Sequence, residues 1–159
     1  GTGKAIAAAK AGNADLILVH SKSQEVAFID GGFGRVVDGF DAERLSFIYN
    51  YYVLCGPSAD PAKVAEAETV LDAFAVIAEG QYKFISRGDG SGTHTKELAL
   101  WRAELGIAKE AESFADYTDW YVSANSGMGA CLVMAEEMDA YILTDKATFL
   151  TFVANNGQM

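Results

Sequence analysis

The sequence predicts an α/β fold with a mainly parallel sheet. Short apolar runs of strand length alternate along the 159 residues with stretches in which apolar residues recur at helical spacing. Hydrophobic residues make up 50% of the chain, enough for the packed core of one compact domain, or of one lobe with parts of another. Because parallel strands need a crossover connection, usually a helix, this alternation favours a parallel sheet.

The first half of the chain is predicted to contain two helices and two strands. An alanine-rich helix is followed by Gly12, a residue type that commonly ends helices, and Ser23 is the predicted cap of a second, short helix. Two further runs are rich in branched and aromatic residues, which is typical of strands. In chain order, the predicted elements are helix 4–10, strand 14–19, helix 23–29 and strand 47–54.

The second half continues the alternation. Asp60 before Pro61 is typical of a helix start, and the apolar residues from Val70 to Ala78 form one helical face that ends at Gly80. The elements predicted after it are strand 82–85, a helix with Leu98, Trp101 and Leu105 on one face, a polar connection over 106–116, strand 120–122, helix 128–138, strand 141–143 and a last helix capped by Asp145 and continuing to Val153.

Composition limits the classes of partner. A net charge of −10 argues against nucleic acids and anionic membranes, which need clustered Lys and Arg, but it does not argue against a small anion bound by local N–H groups. No apolar run approaches the ~20 residues of a membrane span. Cys55 and Cys131 follow or lie within apolar stretches, so we expect two buried thiols rather than a disulfide or a metal pair.

The segment 86–95, which we call the anion turn, lies between a predicted strand and a predicted helix. Its glycines permit positive φ and close approach of a ligand, and Arg87 supplies a planar cationic fork suited to tetrahedral oxyanions. The N-terminus of the following helix adds unpaired N–H groups. The predicted ligand donors here are Ser86, Arg87, Ser91, Gly92, Thr93 and His94.

A structural explanation of the same turn stays open. Ser91 or Thr93 could simply cap the helix, with Glu97 completing a capping box. Asp89 is predicted to support the site: it would repel a fully deprotonated dianion, but it could accept a hydrogen bond from a protonated phosphate. If the ligand is a dianion, we expect Asp89 to hold Arg87 or to cap the turn.

Two other glycine-rich helix starts are weaker candidates. In the first, Thr2 and Gly3 could offer a hydroxyl and N–H groups to the same ligand, with Lys4 in support, although the segment could equally be only a helix start. In the second, Gly127 is a predicted ligand contact and Met128 a supporting residue, and close packing on the sheet explains that segment about as well.

Signs of catalysis or of a metal site are missing from the sequence. There is no G-x-S-x-G or H-E-x-x-H motif, no Cys/His spacing typical of a metal site, and His20 is the only histidine besides His94. We therefore expect no catalytic residue, no cofactor and no metal ligand. An enzyme that acts on a phosphorylated substrate remains the alternative from another class.

The run SRGDGSGTHTKELALW resembles the signature of the periplasmic tungstate-binding proteins of ABC importers. Three further stretches agree with this family in order, so that the resemblance spans almost the whole chain: residues 1–20, 49–64 and 126–145. Phosphate-binding proteins share a related R-x-D-x-SGT pattern. The family has a first strand and a hydroxyl-rich loop upstream of GTGK and further strands downstream, so the resemblance implies a chain that is incomplete at both ends and carries part of the site.

The resemblance also implies a fold and a function. The fold would be the two-lobed, periplasmic-binding-protein-like (type II) fold, with residues 1–48 and 144–159 in the first lobe, residues 49–143 as the inserted second lobe, and hinge crossings near Tyr49 and Thr144. The ligand would be tungstate or molybdate, bound through its oxygens, with phosphate as the alternative. The partner would be an ABC transporter permease. The location would be periplasmic or extracytoplasmic, with a lipid anchor in the full-length protein as one arrangement.

Overall fold

A computed structural model describes residues 2–101, 119–155 and 157–159. The contacts between Cα atoms divide the chain into two compact units, Gly1–Tyr49 and Asn50–Met159. The hinge crossings expected near Tyr49 and Thr144 stay a prediction. The assignment of residues 144–159 to the first lobe stays a prediction.

The first unit contains two helices, α1 (Thr2–Lys10) and α2 (Lys22–Asp30). Both were predicted, but α2 begins at Lys22 with Ser21 in the capping position, so that Ser23 lies inside the helix rather than at its cap. The strand predicted over 14–19 is absent from the described residues, and Leu16 is 79% exposed. A strand exists only where its backbone pairs with a neighbour, and this segment has none in the described part of the chain.

The second unit is built on a four-stranded sheet. Its strands are β1 (Tyr52–Cys55), β2 (Phe84–Ser86), β3 (Tyr121–Ser123) and β4 (Tyr141–Asp145), in the spatial order β1-β4-β2-β3. β2 pairs in parallel with both β3 and β4, and β1 pairs antiparallel with β4. The predicted α/β fold with a mainly parallel sheet is therefore confirmed.

Helices cover both faces of this sheet: α3 (Val70–Glu79), α4 (Gly92–Leu98), α5 (Met128–Glu137) and α6 (Lys146–Ala154). Because side chains alternate along a strand, neighbouring residues of β2 enter different cores. Phe84 packs with the rings of Phe74 and Trp101, whereas Ile85 packs with Leu132 of α5 and Ile142 of β4. None of the described helices is long and apolar enough to cross a membrane.

Several boundaries differ from the prediction. The strand expected over 47–54 begins only at Tyr52, and Tyr49 is 83% exposed, because β1 pairs with β4 from Tyr52 onward. Strand β3 is one residue later than predicted. Trp101 follows α4 rather than lying in it, and Leu105 and the connection over 106–116 lie outside the described residues. The two cysteines are buried and free, as predicted.

Asp60 starts a turn and not a long helix. It has a positive φ of 41°, and its carboxylate accepts hydrogen bonds from the N–H groups of Val64 and Ala65. A short 3₁₀ helix, Val64–Glu66, follows, and α3 begins only after Thr69, whose hydroxyl oxygen accepts from the Asp72 N–H. The helix start predicted at Asp60-Pro61 was therefore wrong, because Asp60 begins a turn and α3 begins only at Val70.

We predict that Tyr141→Phe lowers the free energy of unfolding by about 1–3 kcal/mol. The Tyr141 hydroxyl donates to Asp60 Oδ1 at 2.7 Å and accepts from the buried Ala62 N–H at 2.9 Å, and burial raises its pKa to about 12. Removing this hydroxyl costs Asp60 Oδ1 and the Ala62 N–H one hydrogen bond each. Urea denaturation measures the change. Tyr82→Phe, which removes a hydroxyl with no hydrogen bond found in the described ranges, is the control and should stay within about 0.5 kcal/mol of the parent. Equal effects of the two variants would contradict this account.

Candidate oxyanion site

The anion turn lies at the edge of the sheet where β2 and β3 end. Because these strands are parallel, their carboxyl ends meet at one edge. The Ala124 N–H donates to the Ser86 carbonyl at 2.9 Å, and the Ser126 N–H donates to the Arg87 carbonyl at 3.2 Å. The structure thus joins the anion turn to residues 124–127, the second glycine-containing turn, at the edge where open α/β sheets commonly bind ligands.

Gly88 combines a positive φ with a close contact at its Cβ position. Its φ is +61°, and a Cβ atom at this position would lie 2.0 Å from Ser123 Oγ. Its N–H donates to Ser86 Oγ at 3.2 Å. Backbone from the anion turn therefore approaches β3 closely, and the positive φ that the sequence suggested for these glycines is present at Gly88 and at Gly90.

The Arg87 guanidinium has more N–H donors than its ion pair with Asp89 uses. Its Nη2 donates to Asp89 Oδ2 in an ion pair, and its Nε is buried with no hydrogen-bond partner among the described residues. A guanidinium carries five N–H donors and no acceptor, and buried donors are nearly always satisfied. An anion bound beside this side chain would supply the missing acceptor.

Asp89 is occupied within the turn. Its Oδ1 accepts from the Ser91 N–H at 3.1 Å, while Oδ2 accepts from Arg87. Burial opposes its ionisation, but the hydrogen bonds from Ser91 and the charge of Arg87 outweigh that effect and lower the pKa of this carboxyl. Asp89 therefore holds Arg87 and caps the turn, which is the arrangement expected for a dianionic ligand.

The start of α4 presents several further donors. Ser91 Oγ accepts from the His94 N–H at 3.3 Å, so Ser91 is the helix cap. His94 is buried, and its Nδ1 accepts from the Gly90 N–H at 3.0 Å, which places the hydrogen of a neutral imidazole on Nε2. Gly92 and Thr93 are the first residues of the helix. The same turn can therefore cap α4 and donate hydrogen bonds to an anion.

Ser86 has other partners than those predicted for it. The residue is fully buried, its hydroxyl donates to Glu97 Oε2 at 2.5 Å, and its oxygen accepts from Gly88. Glu97 therefore completes no capping box. It also accepts from Trp101 Nε1 at 3.1 Å and from the Tyr121 hydroxyl at 2.7 Å. Sequence reasoning missed this role of Glu97, for which spacing gave only the helical neighbour Trp101 as a signal.

The second turn leads into α5 without a side-chain cap. Gly127 is the residue before the helix, no side chain accepts from the first N–H groups there within the described structure, and the space at its Cβ position is open. Met128 is buried in the core against the sheet, and its supporting role stays a prediction. Contact of Gly127 with a ligand stays a prediction.

The remaining predicted residues belong to the first unit. Thr2 is 7% exposed, and its Oγ1 has no hydrogen-bond partner among the described residues; Gly3 and Lys4 are exposed. Their contribution to the ligand site stays a prediction. Over the described ranges, no group of three or more His, Cys, Asp or Glu side chains could hold a metal ion.

Comparison with protein families matches the whole chain, residues 1–159, to the PBP superfamily domain. The chain is 45% identical over 159 residues to the tungstate-binding protein TupA of Peptoclostridium acidaminophilum, covering 99% of this chain and 50% of that protein. It is 34% identical to the tungstate-binding protein TupA of Campylobacter jejuni, covering 98% of this chain and 52% of that protein. The chain thus spans about half the length of these curated relatives.

Solved structures agree with this assignment. The tungstate-binding protein TupA from Desulfovibrio alaskensis G20 superposes with a TM-score of 0.78 at 36% identity, over 99% of this chain and 59% of that one. The structure described as the tungstate ABC transporter from Geobacter sulfurreducens gives a TM-score of 0.69 at 41% identity, over 96% of this chain and 59% of that one.

We predict that Gly88→Ala destabilises the protein more than Gly90→Ala does. Both positions have positive φ, which costs a residue with a Cβ about 1–2 kcal/mol, but only the Cβ at Gly88 meets a neighbouring atom. The exposed Ser123 hydroxyl can rotate away, but the Asn125 N and Ser123 Cβ would still lie 3.3 Å from the new Cβ, so we expect overpacking to add about 1 kcal/mol and a total loss of about 2–3 kcal/mol for Gly88→Ala. Denaturant unfolding of the two variants provides the comparison. Ser123→Ala, which removes the contacting hydroxyl, should recover part of the loss in Gly88→Ala, and similar stability of the two single variants would show that the contact with Ser123 is unimportant.

Proposed function

The chain belongs to the PBP superfamily, and from this premise we propose that it binds a tetrahedral oxyanion, tungstate or molybdate, for delivery to an ABC transporter. Membership confirms the periplasmic-binding-protein-like fold that the sequence motifs indicated. The observation that carries the ligand class is the anion turn, in which a partly buried guanidinium with an unpaired Nε lies next to a helix start rich in hydroxyl and N–H donors.

The proposed site divides its donors by type. Arg87 supplies the charged N–H groups, Ser91 and Thr93 supply hydroxyls, and Gly92 and His94 supply N–H groups. Ser86 supports the turn through its bond to Gly88. Thr2, Gly3 and Gly127 would add donors from outside the anion turn, with Lys4 and Met128 in support.

The proposed mechanism is capture without covalent change. In the two-lobed fold that the resemblance implies, closure of the protein would remove the bound anion from water. The named functions of the relatives are binding functions, which supports a role other than catalysis. The proposed location is extracytoplasmic, with the permease of the importer as the partner.

We predict that Arg87→Ala weakens tungstate binding by about 30-fold to 1,000-fold, equivalent to about 2–4 kcal/mol of charge-assisted hydrogen bonding. Arg87→Lys keeps the charge but loses the planar fork, so its affinity should fall between those of the parent and Arg87→Ala. Isothermal titration calorimetry measures each affinity. Lys63→Ala removes an exposed cation and should leave binding within about twofold. Unchanged affinity in a folded Arg87→Ala protein would remove Arg87 from the site.

We predict that Asp89→Asn keeps tungstate affinity within about tenfold and creates no new pH dependence. Both carboxylate oxygens of Asp89 are engaged by Ser91 and Arg87, which leaves neither in a position specific for a ligand proton. Titrations with tungstate, molybdate, sulfate and phosphate across neutral pH make the test. Binding of phosphate alone, abolished by Asp89→Asn, would instead support a phosphate-binding protein.

A further inference from the structure

Glu97 is a buried acidic residue next to the proposed anion site. The residue is 2% exposed, and its carboxyl group accepts hydrogen bonds from Ser86, Trp101 and Tyr121. Among the described residues, no cationic side chain forms a salt bridge with it. A buried carboxylate without a counter-ion is unfavourable. Burial raises the pKa of Glu97, while the hydrogen bonds from Ser86, Tyr121 and Trp101 act in the opposite direction without cancelling it.

The hydrogen bonds around Glu97 allow a proton on Oε2. Oε1 accepts from Trp101 Nε1, which can only donate, and from the Tyr121 hydroxyl. Oε2 meets the Ser86 hydroxyl at 2.5 Å, and a hydroxyl can donate or accept. A proton taken from solvent onto Oε2 would be donated to Ser86 Oγ, so this hydrogen bond would reverse rather than break. The hydrogen of the Ser86 hydroxyl would then turn to the oxygen of the Tyr121 hydroxyl, which also lies within hydrogen-bonding reach of Ser86. Glu97 can therefore become neutral without moving its neighbours.

The same hydroxyl connects Glu97 to the anion turn. Ser86 Oγ accepts from the Gly88 N–H at 3.2 Å, and Gly88 separates Arg87 from Asp89 in sequence. Glu97 thus acts on the turn through Ser86 whether it is charged or neutral, but its charge differs between the two states. An ionised carboxylate here would oppose an arriving anion, and a neutral carboxyl would not.

Resting on the proposed function, we propose that Glu97 is the positioning residue of the anion turn and that it takes up a proton when the oxyanion binds. The coupling is reciprocal: the anion favours the neutral carboxyl, and the neutral carboxyl favours the anion. The other titratable groups on the surrounding elements are Arg87 and Asp89 in the turn, His94 and Lys96 on the same helix, Tyr121 on β3, Tyr141 and Asp145 on β4, and Cys131, Glu136 and Glu137 on α5.

The test is calorimetric titration of the protein with sodium tungstate and with sodium molybdate, in buffers of different ionisation enthalpy, at a series of pH values over the range in which the protein stays folded. We expect uptake of between about 0.2 and 1 proton per anion at some pH in this range. Difference infrared spectroscopy of the same protein should show a new carboxylic acid C=O band when the anion is added.

Glu97→Gln separates positioning from charge. The glutamine amide can donate to Ser86 and its oxygen can accept from Trp101 and Tyr121, as a protonated Glu97 would, so we expect a folded variant that binds tungstate at least as tightly as the parent, with proton uptake and the infrared band abolished. Glu137→Gln, which removes an exposed carboxylate from α5, is the matched control and should keep both signals.

The outcomes distinguish the two proposals. Failure of the parent protein to bind either anion refutes the proposed function and this inference with it. Anion binding without proton uptake or a new infrared band refutes the inference alone, and so does proton uptake that persists in Glu97→Gln. If that variant does not fold, the infrared band of the parent protein still decides whether a carboxyl group is protonated on binding.

Discussion

The parallel pairing of β2 with a strand on each side is the constraint on which the candidate site depends. The three residues of β2 are fully buried, so the position of the strand is determined from both faces and both edges. Its last residue, Ser86, leads directly into the anion turn. The turn is then tied to the end of β3 by two backbone hydrogen bonds. The donors of the turn are therefore positioned by the core and not by the loop alone.

Features with local causes could be predicted from the sequence. Ser91 and Asp145 cap the helices that follow them through their own side chains, and such bonds span only three residues. The apolar face of α3 and the glycines of the anion turn could likewise be recognised from residues that are close together in the sequence. The proposed donors of the anion turn could be selected from the sequence for this reason, since one short segment holds five of them.

Features that depend on distant partners could not be predicted. The apolar runs over 14–19 and 47–51 have the composition of strands, but composition does not supply the neighbouring strand that pairing requires. In the candidate site, the role of Glu97 depends on distant residues in the same way. Its partners Ser86 and Tyr121 lie 11 and 24 residues away in sequence, so no local pattern indicates them. Its charge, helical position and neighbours suggested an ordinary cap, and only the folded arrangement gives it another role.

The proposed anion site does not follow from net charge. The chain carries −10 overall, and Arg87, the only cationic side chain of the anion turn, is already paired with Asp89. Exposed carboxylates farther than about 10 Å are screened by salt, but Asp89 and Glu97 are too close to the turn for that. The local charge before an anion arrives is thus about zero with Glu97 neutral and negative with Glu97 ionised. Affinity in such a site would come from oriented N–H and hydroxyl dipoles in a partly buried setting, where each is stronger than in water. Selectivity would then depend on the number and spacing of those donors, which a tetrahedral ligand either satisfies together or leaves partly unpaired.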